Sequence, residues 1–347
     1  MDVEMKKRSS ESRGWKWNVG RMLLSITLAL GAGSAWSNSS EAPKAMDELA
    51  LDALWWGDFE EFERLYRVAN VVQERSKSGE TSVDLFRTGI GRVMRGGEAG
   101  GDAYIAQVEA LARQWVSERP DSVLAHLLLV RTLYERAWTY RGGGFAGTVT
   151  AQAMIDFRKY IALAVKQMES HSKLVMSDPT AHVYLLMIGR SASWKKEVLF
   201  AIATDGVGKS PQDVDIYIEL LTGMLPKWGG DEDAMEAVAQ LAMKNGGARA
   251  MELYALVYEA AAWEFEAGLF DQTKANWPRI KQGYRDLLAG YPDAVNVNRF
   301  AKMACLAQDR QTASELMSKI GDAPVLARWG TGSDGRRNFD ACKRWLK

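Results

Sequence analysis

The chain has 347 residues, 47% hydrophobic and 25% charged, with 44 basic and 44 acidic side chains. That is globular composition with ample length for a sizeable core, and it excludes a disordered or low-complexity chain. A balanced charge with no basic stripe excludes electrostatic nucleic-acid binding.

The N-terminus reads as a targeting segment rather than as part of the fold. Lys6, Lys7, Arg8, Arg13, Lys16 and Arg21 form a positive region before the apolar run Met22 to Ala32. Ala35-Trp36-Ser37 is a small-x-small cleavage pattern, so residues 1–37 read as a signal peptide and the mature chain starts near Asn38. The apolar run is shorter than the ~20 residues of a membrane span. An uncleaved inner-membrane signal anchor is the alternative, and Met22 is an alternative start. The expectation is a periplasmic or secreted chain with no stable membrane span after cleavage. Removing residues 1–37 leaves 38 basic and 41 acidic side chains.

Residues 38–347 read as a single helical-repeat domain. After a lead-in over 38–45, Ala45 to Trp56 and Asp58 to Ser76 form a helical hairpin broken at Gly57. Asp58 with Glu61 three residues on is a capping-box pattern. Helices follow over Val83 to Arg95 and Asp102 to Arg119. A central helix starts at Pro120, buries Leu124, Leu127, Leu128, Leu133 and Trp138 on a wide apolar face, and stops at Gly142-Gly143-Gly144. Thr148 or Thr150 caps a long helix through about Met176, and Pro179 opens the next. Trp194 to Ala203 is ambiguous, because Glu197 to Ala203 also suits a strand. Gln212 to Met224 and Asp231 to Lys244 read as helices, as do Arg249 to Ala267 and Thr273 to Ala289. The last hairpin, about 293–320, has the small-residue spacing of a tetratricopeptide pair in Ala301, Ala304, Ala307 and Ala313, without a strict 34-residue period. A loop-rich stretch with weak packing precedes a short terminal helix, Phe339 to Leu346. No segment alternates at period two, so the fold class is all-α: antiparallel helical hairpins in a tetratricopeptide-like α-solenoid.

Catalytic signatures are few. Ala203 to Ser210, with Gly208-Lys209-Ser210, fits a relaxed phosphate-loop pattern but lacks the downstream acidic residue that would hold magnesium. Gly142, Gly144 and Gly147 have dinucleotide spacing but follow a helix, which excludes a βαβ unit. His126 reads as a satisfied core histidine. His126, His171 and His182 form no metal-ligand set, so neither a metal nor a cofactor is expected. Cys305 and Cys342 read as one disulfide in an exported chain, with two buried thiols as the alternative. The 13 tryptophans read as packing residues before they read as a binding surface.

Three stretches carry a family resemblance. They are Ala137-Trp138 with Arg141-Gly142 and Gly144; Leu225-Pro226-Lys227-Trp228-Gly229-Gly230; and Asn298-Arg299-Phe300 with Ala304 to Ala307, echoed by Phe339 and Cys342. Over roughly Leu49 to Trp345 the chain resembles the bacterial family defined by domain of unknown function 4034. Lys227 stands where that family has arginine. The resemblance implies a helical, tetratricopeptide-like domain with no assigned activity. Trp138, Arg141, Lys227 and Trp228 are the candidate binding residues, and no catalytic residue is singled out. The expected function is an envelope scaffold that binds a protein or peptide. The alternative is a hydrolase-type envelope enzyme with a site near Arg141 and Trp228.

Overall fold

The computed structural model describes residues 45–71 and 75–347. The expected signal peptide lies outside them. Helices account for the architecture, and the described residues hold no strand beyond an isolated bridge between Arg75 and Thr81. No helix among them is long and apolar enough to cross a membrane.

The N-terminal part comprises α1 (Met46–Trp56), α2 (Phe59–Val71), α3 (Ser82–Arg95), α4 (Gly97–Glu118), α5 (Val123–Arg141) and α6 (Ala151–Ser170). The middle comprises a single turn α7 (Ser172–Val175), then α8 (Pro179–Ser191), α9 (Lys196–Lys209) and α10 (Val214–Gly223). The C-terminal part comprises α11 (Glu232–Asn245), α12 (Ala250–Phe265), the short α13 (Leu269–Gln272), α14 (Trp277–Gly290), α15 (Ala294–Leu306), α16 (Arg310–Ile320) and α17 (Ser333–Leu346). Helices adjacent in sequence pack on one another: α4 on α5, α5 on α6, α8 on α9, α11 on α12 and α15 on α16.

Two helices are apolar on nearly every side, as befits elements covered by several neighbours. In α5 every residue from Leu124 to Val130 is buried, between α4, α6 and α8. In α12 every residue from Leu253 to Glu259 is buried, between α10, α11 and α14.

Side-chain caps set many of the boundaries. Thr81 and Asp84 form a capping box on α3, Thr150 caps α6, Asp213 caps α10 and Asp231 caps α11. Pro120 does not open α5. Ser122 caps that helix through the Ala125 amide, and Pro120 stays in the turn before it. A proline suits a first helical position but supplies no acceptor, whereas a serine oxygen satisfies a free amide.

The ambiguous stretch after Trp194 is helix α9, and it runs on through Lys209. The glycine-rich part stays helical, and Gly206 packs closely against the preceding helix α8. A Cβ there would lie 2.9 Å from His182 Cβ. Lys209 therefore ends a helix, where the dipole repels phosphate, instead of opening one.

The C-terminal stretch corrects the expectation of weak packing. Trp329 and Phe339 are both 1% exposed and meet edge to face at 5.2 Å. Asn298 on α15 anchors the stretch: its Oδ1 accepts from the Trp329 indole at 2.8 Å and from the Val325 amide at 3.1 Å. The terminal helix starts at Ser333, six residues earlier than read from sequence. Cys305 and Cys342 are joined in a disulfide with a Cα–Cα separation of 5.9 Å, tying α15 to α17. Such bridges persist in oxidising compartments and are rare in the cytosol.

Candidate functional site

Three of the four candidate binding residues come together. Trp138 is on the last turn of α5 and Arg141 ends that helix. Trp228 lies far along the chain, in the turn Pro226–Trp228 after α10. That turn needs both following glycines. Gly229 has φ +78°, and a Cβ on Gly230 would sit 1.7 Å from the Met224 carbonyl oxygen. The tight reversal turns Trp228 back onto Trp138, edge to face at 6.2 Å. Phe157 of α6 meets Trp138 from another side, edge to face at 5.3 Å.

Arg141 stacks over this cluster, its guanidinium carbon 4.9 Å from the centre of the Trp138 ring and 5.9 Å from that of Phe157. Its Nη1 also donates to the carbonyls of Gly142 at 3.0 Å and Gly144 at 3.1 Å. The arginine thus closes the glycine loop and also lines a groove. Lys227 is not part of this cluster. It points away and pairs with Glu264 at 2.6 Å.

The groove encloses about 600 Å³. Met154, Phe157, Ile161 and Val165 give it an apolar floor, and Trp228 forms a wall. Arg141, Arg158, Lys166 and Glu169 also line it, three cations against one anion. Arg158 and Lys166 are exposed.

The histidines belong elsewhere. His126 sits near the start of α5, fifteen residues and roughly 22 Å of helix from Arg141. Its Nε2 lies 2.8 Å from the Pro120 carbonyl and its Nδ1 2.8 Å from Gln167 Nε2. One neutral tautomer, protonated at Nε2, satisfies both contacts. Burial and then the stacked His171 ring lower its pKa, while the Pro120 hydrogen bond opposes them. His126 is therefore a satisfied core histidine, as its sequence context predicts. His182 is bonded to Asp205 at 2.6 Å.

Two buried charge networks escaped sequence reading. In the first, Arg87 of α3 joins α8 and α10. Its guanidinium donates to both oxygens of Asp213 at 2.8 and 2.7 Å, to Asp215 at 3.1 Å and to Thr180 at 3.1 Å. Asp84 lies 3.8 Å away, and Asp84, Asp213 and Asp215 bring carboxylate oxygens within 4.8 Å of one another. Three carboxylates so placed are a metal-type donor set, yet here Arg87 is the cation they surround. Burial, then the charge of Asp84, pushes Asp215 up to about 7, against the pull of Arg87. Asp84 is also raised, by burial and by Asp213.

In the second network one acid meets one base. Arg299 Nε of α15 reaches both oxygens of Glu259 at 2.8 Å, and the Tyr284 hydroxyl donates to Glu259 at 2.6 Å. Burial alone would raise the Glu259 pKa; the charge and hydrogen bonds of Arg299 outweigh it and hold the group below its ordinary value.

No family model, no curated protein and no solved structure matches this chain.

Proposed function

We propose that the chain is an exported tetratricopeptide-like scaffold that docks an acidic, amphipathic peptide segment of another protein in the Arg141–Trp228 groove. The observation that carries this reading is the groove's chemistry: an apolar floor of helix α6 beneath a rim with three cations and one anion. Apolar anchors and acidic neighbours on a short peptide are complementary to that surface. Consecutive packed helical pairs support the repeat reading. The disulfide and the leader-like N-terminus support export to the periplasm. The three shared stretches support membership of the domain of unknown function 4034 family.

Hydrolysis is the weaker reading. Ser191 and Ser193 line the groove, but the three histidines are engaged elsewhere and none stands beside either serine as a general base.

Selection of a random peptide library on the folded protein tests the proposal. Enriched peptides should combine Asp or Glu with Leu, Phe or Trp. They should bind the Arg158→Glu/Lys166→Glu double variant at least tenfold more weakly. Both side chains are exposed, so the exchange leaves the core intact. Failure to enrich any such peptide, or equal binding to the double variant and to Trp228→Ala, would overturn it.

A further inference from the structure

A second cleft, of about 360 Å³, opens between α12, α15 and α17, independent of the Arg141 groove. Trp263, Lys302, Cys305, Trp329, Cys342 and Trp345 are among its lining residues. Lys302 is its unusual member. The residue is only 8% exposed, and its Nζ lies 4.1 Å from the centre of the Trp263 ring. No hydrogen bond and no carboxylate within 4.0 Å accompanies that amine among the described residues.

The acids nearby are committed or solvated. Glu259 is taken by Arg299 and Tyr284. Asp334 pairs with Arg337 at 3.0 Å, and Glu266 is exposed at the rim. An ammonium on a nine-tenths buried side chain, with an aromatic face as its partner, is under-compensated, because a ring quadrupole recovers only part of the lost hydration. Burial accordingly lowers the Lys302 pKa, with Glu259 and Glu266 opposing. Trp263 is 45% exposed, so a large apolar ring stands open beside that charge.

We propose that this cleft binds a small organic carboxylate, its anionic group on Lys302 Nζ and its apolar body against Trp263, Trp345 and the disulfide. The volume is at the small end of ligand sites, which run from ~300 to ~1,000 Å³, so the fit is to one ring on a short chain. A carboxylate completes the ion pair that Lys302 lacks through a charge-assisted hydrogen bond.

Calorimetric titration of the intact, disulfide-bonded protein with 3-phenylpropionate and with its neutral amide is the test. The acid should bind saturably and at least tenfold tighter than the amide. Lys302→Met should erase that preference, and Lys302→Arg should retain it. Thermal unfolding of each variant establishes that it is folded. The comparison of acid with amide on the unaltered chain needs no variant. Equal binding of the two, absence of saturable binding of the acid, or an acid preference that survives in folded Lys302→Met would overturn the proposal.

Discussion

Arg87, buried, and Arg299, half-buried, both tie together helices distant in sequence, and they differ in how many carboxylates answer each. Arg299 meets one glutamate, which also accepts from the Tyr284 hydroxyl, so its network is neutral. Arg87 meets three aspartates, which leaves a surplus of negative charge inside the fold. Buried charge in excess must find a proton or a partner. The contrast teaches that similar ion pairs can differ in sign as pH sensors: the balanced network is steady near neutrality, and the crowded one is not.

Removing Arg87 should break the contrast most severely. Arg87→Met leaves the aspartates uncompensated and should cost roughly 3–5 kcal/mol at pH 7.5. The loss should shrink at pH 4, where Asp84 and Asp215, both raised, take up protons. Urea unfolding at both pH values measures it, and equal losses would assign the effect to packing instead. Glu259→Gln should cost about 2–3 kcal/mol by leaving Arg299 without its anion. Because its pKa is lowered, the contribution of Glu259 is present above the ordinary glutamate value and is lost only as pH falls below it. The cost should therefore be constant from pH 5.5 to 8, and a slope across that range would contradict the assignment.

Asp215 should behave in the opposite sense. Its raised pKa means that the folded state holds a proton which the unfolded chain releases above about 4. Stability should fall as pH rises toward about 7 and stay level above that. The proton is shared with Asp84, so the two carboxyls titrate as a pair. Asp215→Asn should flatten the slope and add on the order of 1 kcal/mol at pH 8, a modest figure because the side chain is 31% exposed and partly screened. Melting profiles from pH 4 to 8 decide this, and an unchanged slope would exclude Asp215 as its source. Lys227→Ala marks the lower bound. The Lys227–Glu264 pair is 52% and 31% exposed, so its loss should shift stability by no more than about 0.5 kcal/mol.

What sequence could reveal follows from how local each signal is. The all-α class, the Thr150 cap as one of two threonines offered, and the end of α5 at the glycine run follow from short-range periodicity and capping chemistry. The disulfide follows from the even cysteine number beside a leader-like N-terminus. Trp138, Arg141 and Trp228 were singled out by short motifs, while their meeting depends on a turn geometry fixed by Gly229 and Gly230. The Arg87 network was not legible. Asp84, Asp213 and Asp215 each look like ordinary acids at helix starts, and Arg87 lies 126 residues from Asp213. Lys302 gave no local sign either, since its burial is imposed by α12 and α17. Gly206 misled in the other direction: its glycine serves close packing on His182, and a phosphate-loop spacing arises around it by coincidence.

The Cys305–Cys342 bridge also has a consequence for proteolysis. It encloses the turn at Gln308, where the backbone is left-handed, and the exposed segment from Gly321 to Ala323. A protease nicking either place would open that loop but leave the two fragments joined through the disulfide. The clipped protein would run at full length in an unreduced gel and separate only when thiol is added. Integrity of the C-terminal part is therefore a property to be read under reducing conditions, and a chain that has been cut there can persist as one particle.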